Sequence, residues 1–413
     1  MAKVLQLAGF QLAIWMDTLE ILFWVSLATI IYTHAGYGLL MYLLAQAKRR
    51  LIGSAGDRSE YSDDEWPAVT FIIAAYNEED FIQRKIDNCL ALDYPIEKIQ
   101  FWFVTDGSSD RTEQIVRQAA TAQPGLIRCF HSPERKGKIA AVDRVMPMVS
   151  TPVTIFSDAN TILNREAVKR IVRHYENPAV GVVAGEKRVA IDSRHGAASS
   201  EGFYWRYESL LKKWESQFHS AIGAAGELFS IRTALYRPVE PDTLIEDFVM
   251  TMRIAMRGYR IAYEPQAYAL EQPSASVAEE LKRKIRIAAG DHQAVQRLRA
   301  LLNPFRYGWL AFQYFSHRVL RWVVAPLMLP VLFFSNMFLA TSEGGFYAVF
   351  FSAQCLFYLL ALAGYFLQKK NIRNPVFFLP YYFCMMNYAM YAGFFRLLRG
   401  RQQVTWEKAK RAM

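Results

Sequence analysis

Two kinds of hydrophobic pattern divide the chain. Four stretches are apolar almost without interruption: Ile21 to Ala45, Val319 to Thr341, Phe346 to Leu367 and Pro375 to Leu398. A helix needs about 20 such residues to cross a bilayer, and each stretch is long enough. After the first, RLIGSAGDRSEYSDDEW (50–66) is polar and rich in turn formers, and then short apolar runs alternate with helical periodicity. VTFIIAA (69–75), QFWFVT (100–105) and VTIFS (153–157) are β-branched and aromatic, and read as buried strands. EEDFIQRKIDNCLAL and RTEQIVRQAA, between them, repeat their apolar positions at helical spacing. Strands separated by helices imply an α/β domain, a Rossmann-like parallel sheet covered on both faces. The expected organisation is a membrane segment over 1–50 with its span at about 21–45, a linker over 51–66 and an α/β domain over 67–275. Amphipathic interfacial helices over 276–317, membrane helices over 318–400 and a basic tail over 401–413 complete it.

Charge orients this arrangement. The net charge of +10 gathers around the membrane flanks, with Lys48 to Arg50 after the first apolar stretch and Arg318 and Arg321 before the second. By the positive-inside rule these residues put the central domain in the cytoplasm, as part of a multi-pass protein of the cytoplasmic membrane. The charge suits an anionic lipid surface, and no basic and aromatic RNA-binding motif accompanies it, so nucleic acid is not an expected partner. One conflict stands: three crossings after the domain would export the basic tail RLLRGRQQVTWEKAKR, which belongs inside. Either a late segment is re-entrant or the charge rule fails here. The first apolar run is long and lacks the usual basic leader of a cleaved signal peptide. Cys89, Cys129, Cys355 and Cys384 show no metal-ligand spacing and read as reduced, structural residues.

Ligands of open α/β sheets bind beyond the carboxyl ends of the strands. There the chain carries YNEED, DGSSDRT and DANT, one after each predicted strand. Any one of them is an ordinary turn or helix cap; three at the ligand-binding edge indicate a site. GxGxxG and P-loop fingerprints are absent, so phosphate recognition falls to side chains and metal. Further on, Glu246 and Asp247 open a helix whose apolar positions Phe248, Met252 and Ala255 recur regularly and which Gly258 ends. Acids there either complement the helix dipole or perform chemistry.

The series AAYNEE, TDGSSD, RKGKIAAVDRV, SDAN, GAAGELFSIR, IEDF and RKIRIAAG, running from about Val69 to Gly290, resembles the membrane-integrated family-2 glycosyltransferases. That group includes cellulose, hyaluronan, chitin-oligosaccharide and poly-N-acetylglucosamine synthases. The resemblance implies a GT-A type nucleotide-sugar-binding domain, inserted between membrane helices, that inverts configuration at the transferred sugar. It implies that Tyr76 and Glu78 border the nucleoside, that Asp106 contacts it and helps organise the metal, and that Lys138 lies near the donor. Asp158 matches the first acid of the metal signature, whose second position is Asn160 here. Asp247 matches the general base, and Arg283 and Arg286 match two polar positions of an element that contacts the donor. The chain departs from the pattern at Thr105, at Ala74–Ala75, at Asn160 and at Ile287, where long-chain synthases carry an acceptor-supporting tryptophan.

Nucleotide-sugar transfer needs the departing diphosphate stabilised and the attacking hydroxyl deprotonated. Mg²⁺ or Mn²⁺ held by Asp158 with Asp106 and Asn160 would serve the first need, helped by the forked cations of Arg283 and Arg286. Asp247 would serve the second, with Glu246 holding the acceptor or tuning its neighbour. The helix carrying the two arginines also presents an apolar stripe, Leu281, Ile285, Ala288, Val295, Leu298 and Leu302, suited to the membrane surface. In EGFYWRYESLLKKWESQF (201–218), Tyr204, Trp205 and Trp214 offer either an acceptor platform or interface packing, Trp205 being the candidate for the acceptor. The expected function is elongation of a β-linked cell-surface or secreted polysaccharide from a nucleotide sugar, most simply a UDP-sugar. The alternatives are transfer of one sugar to a polyprenyl-phosphate or other lipid acceptor, and a catalytically silent export or assembly component.

Overall fold

The computed structural model describes residues 2–53, 65–189, 197–272, 276–369, 374–400 and 402, with backbone alone at 2–13, 52, 197–205 and 369. Eight strands make one sheet: β1 (Val69–Ala75), β2 (Ile99–Asp106), β3 (Ile127–Ser132), β4 (Val153–Asp158), β5 (Thr161–Leu163), β6 (Val180–Val189), β7 (Leu228–Arg232) and β8 (Arg260–Glu271). Their order is β3-β2-β1-β4-β7-β6-β8-β5. The predicted strands sit at the centre of its parallel half, β1 pairing with β2 on one side and β4 on the other. The expectation of a parallel sheet holds there and again for the β6–β8 pair. β7 runs antiparallel to both β4 and β6, so the sheet is mixed.

Side chains on successive strand residues point to opposite faces. In β1 and β2, Ile72, Trp102 and Val104 join one apolar core with Phe156, Phe229 and the Glu246–Ala255 helix, while Phe71, Ile73, Phe101 and Phe103 join the other with Ile82, Ile86 and Val168. Burial on both faces explains why these strands read as continuous apolar runs rather than as alternating patterns.

Among the described residues, three helical stretches are long and apolar enough to cross a membrane: Ile14–Leu51, Trp309–Ser342 and Gly345–Gln368. The first exceeds the predicted span at both ends, with a π-helical turn at Tyr32–Gly36. The Pro375–Leu398 helix, expected as a fourth span, is not among them, because tyrosines and Asn387 interrupt its apolar residues. The second stretch begins inside the region expected to be interfacial, and its residues Phe315–Val324 form a π-helix. Predicted linker residues 54–64 and tail residues 401 and 403–413 lie outside the described residues.

Candidate active site

Register brings the strand ends together. Across β1, Ala74 lies opposite Asp158 and Ala75 opposite Thr105, so the segments that follow β1, β2 and β4 emerge side by side. Asn77 takes a positive φ of 51°, a left-handed conformation that asparagine tolerates. Its backbone N–H donates to Ser108 Oγ at 3.1 Å and its side-chain oxygen accepts from the Ser109 N–H at 2.8 Å, which ties the first loop to the second. Asp106 ends β2 and is buried, its carboxylate accepting backbone N–H bonds from Lys136 (3.0 Å) and Gly137 (2.6 Å). Gly107 follows with φ +66°, where a Cβ would lie 2.6 Å from the Arg135 nitrogen; only glycine lets the loops approach so closely. The Arg135 guanidinium in turn lies 3.7 Å over the ring of Tyr76.

Lys138 starts the helix that this loop delivers. Its ammonium lies 2.7 Å from Asp158 Oδ1 and 3.4 Å from Glu246 Oε1, joining the end of β4 to the Glu246–Ala255 helix. Gly226 passes beneath: a Cβ there would lie 2.9 Å from Lys138 Nζ and 3.3 Å from Asp247 Oδ2. Burial disfavours the Lys138 charge, but Asp158, Glu246 and Asp247 outweigh it and hold the ammonium above the ordinary lysine range. Burial pushes the Asp247 carboxyl up to about 7, with repulsion from Glu246 adding to it and Lys138 opposing it. Arg286 lies within electrostatic reach of Glu246, Asp247 and Asp158, and Arg283 is bonded to Glu280 at 3.1 Å.

Asp106, Lys138, Asp158 and the charged groups of the Glu246–Ala255 and Val277–Arg297 helices just described line one cavity of about 1500 Å³, Glu280 excepted. Its lining includes Tyr76, Glu78, Asp106, Lys138, Asp158 and Asn160 at one end, and Glu246, Asp247, Arg283, Arg286 and Ile287 beyond them. It continues to His34, Arg318 and Arg321 and to the apolar residues Phe357, Leu379, Phe383 and Met390 of the membrane-associated helices. Trp205 belongs to the Ala197–Phe218 helix, but its side chain lies outside the described residues. Trp214, on the same helix, packs against Tyr42 of the first membrane stretch with ring centroids 5.4 Å apart, so interface packing is its role.

The sequence concealed three supports. Fully buried Lys85 donates to Ser157 Oγ at 2.8 Å and to the Thr161 carbonyl at 3.0 Å, holding the turn that carries Asp158 and Asn160. Its place on the apolar face beside Ile82, Ile86 and Cys89 was the available signal. Buried Lys187 pairs with Glu227 and Glu271 at the cavity wall. Glu208 anchors Arg318 (2.8 Å) and Arg321 (2.7 Å), and His317 bridges it to Glu215 (2.7 Å).

A family model described as glycosyl transferase family 2 matches residues 70–237. Poly-β-1,6-N-acetyl-D-glucosamine synthase of Staphylococcus aureus is 25% identical over 257 residues, 60% of this chain and 60% of the relative. The Staphylococcus epidermidis synthase is 24% identical over 245 residues, 58% of each. The chain thus spans about three fifths of the length of these curated relatives. Among solved structures, a mannosyltransferase from Pyrobaculum calidifontis in complex with GDP-Man and Mn²⁺ is similar over 92% of this chain and 99% of that one, with a TM-score of 0.68 at 23% identity. Residues 70–237 thus match the glycosyl transferase family 2 model, and the domain has the Rossmann-like GT-A fold with a mixed sheet, flanked by helices apolar enough to span a membrane.

Proposed function

We propose that this protein is a membrane-embedded inverting glycosyltransferase that uses a nucleotide sugar, a UDP-sugar, to elongate a β-linked cell-surface or secreted polysaccharide. One observation carries the reading: Asp106, Lys138, Asp158, Glu246, Asp247 and Arg286, scattered along the sequence, line a single cavity that continues among the membrane-associated helices. Homology to the poly-N-acetylglucosamine synthases supports a β-linked polymer as product.

The donor's nucleoside lies by Tyr76, Glu78 and Asp106, with Arg135 covering the Tyr76 ring. Its diphosphate faces Lys138, Arg283 and Arg286, whose cations offset the charge that develops as the glycosidic bond breaks. A divalent ion, Mg²⁺ or Mn²⁺, fits the oxygen donors at the end of β4. Asp158 and the Asn160 amide would hold it together with donor phosphates, and the Lys138 ammonium 2.7 Å from Asp158 marks the place as one that takes positive charge. When bound, the ion supplies Lewis-acid stabilisation of the leaving diphosphate. Asp106 holds the Lys136–Gly137 loop and thereby the position of Lys138. Asp247 takes the proton from the acceptor hydroxyl on the face of the sugar opposite the diphosphate, so an α-linked donor yields a β-linked product.

The apolar arm of the cavity, with Phe357, Leu379, Phe383 and Met390, favours a second reading in which the acceptor is lipid-linked. A panel of labelled nucleotide sugars offered to membranes containing the protein separates the two. A ladder of lengthening chains supports the polymerase, whereas one short glycolipid supports the lipid-linked acceptor. No transfer from any donor, or full transfer in excess chelator, overturns the donor chemistry.

A further inference from the structure

Asp291 has no part in the chemistry described so far. It lies on the Val277–Arg297 helix, one turn beyond Ile287, and both residues line the cavity. Only 7% of Asp291 is exposed, yet among the described residues its carboxyl has no hydrogen bond and no ion pair. A buried acid without a hydrogen bond loses its hydration and keeps only the longer-range attraction of Arg318 and Lys284, which burial outweighs, so such a group calls for a ligand.

Its location follows from close backbone packing on both sides. A Cβ on Gly290 would lie 2.8 Å from Ile245 Cγ2 and 3.2 Å from Leu244 Cβ, so the helix abuts the residues that lead into Glu246 and Asp247. Gln293 secures the contact, its side-chain oxygen accepting the Leu244 N–H at 2.9 Å and its amide donating to the Asp242 carbonyl at 2.8 Å. On the other side, a Cβ on Gly393 would lie 2.6 Å from the Ala289 nitrogen. Asp291 therefore opens into the cavity between the catalytic loop and the last helix, near enough to Asp247 for the two carboxyls to repel each other. The donor end of the cavity, at Lys138 and Asp158, takes only Arg283 and Arg286 from this helix, and Asp291 lies beyond them, on the far side of Ile287. What meets Asp291 is the molecule that presents its hydroxyl to Asp247.

We propose that Asp291 binds the acceptor, its carboxyl hydrogen-bonded to a hydroxyl of the acceptor sugar and orienting that sugar before Asp247. A polyol carries several donors and acceptors and satisfies a carboxyl in either protonation state. Ile287, one turn away, offers an apolar surface to the face of the same ring. The proposal rests on the transfer reaction above, but its stability readout does not.

The test compares Asp291→Asn and Asp291→Leu with wild type in detergent. The protein without substrate should melt no lower with leucine than with aspartate, because an unpartnered buried acid has been removed. Addition of a short β-1,6-linked N-acetylglucosamine oligosaccharide should raise the wild-type melting temperature and leave that of Asp291→Leu unmoved. In transfer assays the acceptor KM should rise about tenfold or more in Asp291→Leu, and less in Asp291→Asn, which keeps an acceptor oxygen; donor KM and the slow hydrolysis of donor by water should stay as in wild type. A lower melting temperature in both variants, or donor and acceptor KM moving together, makes Asp291 a structural residue and overturns the proposal. An unchanged acceptor KM with normal melting overturns it equally. A wild type that binds the oligosaccharide through Asp291 but transfers nothing supports the binding site and removes the proposed reaction alone.

Discussion

Asp247 is a buried carboxyl beside Glu246, and burial with that repulsion raises it to about 7. A base works only when deprotonated, and a raised acid loses its proton later on the pH scale. In the free enzyme kcat/KM should therefore climb about tenfold per pH unit below about pH 7 and level off above it. Asp247→Asn should keep donor binding and lose transfer by roughly 10² to 10⁴-fold, with the pH dependence gone. Transfer that persists with the same profile would move the base elsewhere. Lys85 makes a different prediction, because it touches no substrate. Lys85→Met strips the bonds to Ser157 and Thr161 and should cost about 1–3 kcal/mol, read as a lower melting temperature, while weakening metal-dependent donor binding. Asp106 and Asp158 stood out in the sequence because strand ends are where open sheets bind ligands, and Asp247 because of the IEDF motif. Lys85 was missed: its place beside Ile82, Ile86 and Cys89 was a signal, but a lysine in a polar-rich helix reads as solvated until the residues around Ser157 fold against it.

At the scale of elements, hydrophobic patterning found β1, β2 and β4, whose faces are both buried, and overlooked the strands beside them. β8 contains Pro265, which argues against a strand, and the sheet absorbs it by a register shift: Gly185 pairs with Glu264 while Glu186 pairs with Tyr268. β3 lies at the sheet edge and carries polar residues, so it resembles a loop. Also unforeseen was the packing of the run Ala288-Ala289-Gly290, of which Ala288 alone was read into the apolar stripe and the whole only into the RKIRIAAG motif, where small side chains let the helix fit between the catalytic loop and Gly393. Gly393→Ala tests that fit. Its Cβ would meet backbone of Ala288 and Ala289 at 2.6–2.8 Å, which no rotamer change relieves. An overpacking cost of about 1–3 kcal/mol is expected, with kcat reduced because Leu244 and Ile245 shift with the helix. An alanine variant with wild-type melting and activity would show the packing to be slack.

At the scale of the whole molecule, counting the candidate spans offers a way out of the conflict between the basic tail and the charge rule. One candidate span precedes the catalytic domain and two follow it, and counting these three alone would return the chain to the domain's side before Pro375. The Pro375–Leu398 helix then lies along the cavity that holds Asp247, contributing lining residues from Pro375 to Met390. Phe383 meets His34 with ring centroids 5.7 Å apart, and Gly393 meets the Val277–Arg297 helix. A helix that touches the Val277–Arg297 helix and walls the same cavity, and whose tyrosines and Asn387 suit a boundary better than hydrocarbon, is expected to lie beside the site although it also packs on the Gly345–Gln368 span through Gly364. Arg396 and Arg399 then remain with the catalytic domain. A topology reporter fused after Gly400 should accordingly report the same side of the membrane as one inserted at Gly125, a surface turn between the Thr112–Ala122 helix and β3. Reporters on opposite sides would make Pro375–Leu398 a true crossing. The helix would then run through the bilayer instead of beside the site, and the apolar arm of the cavity would lead across the membrane.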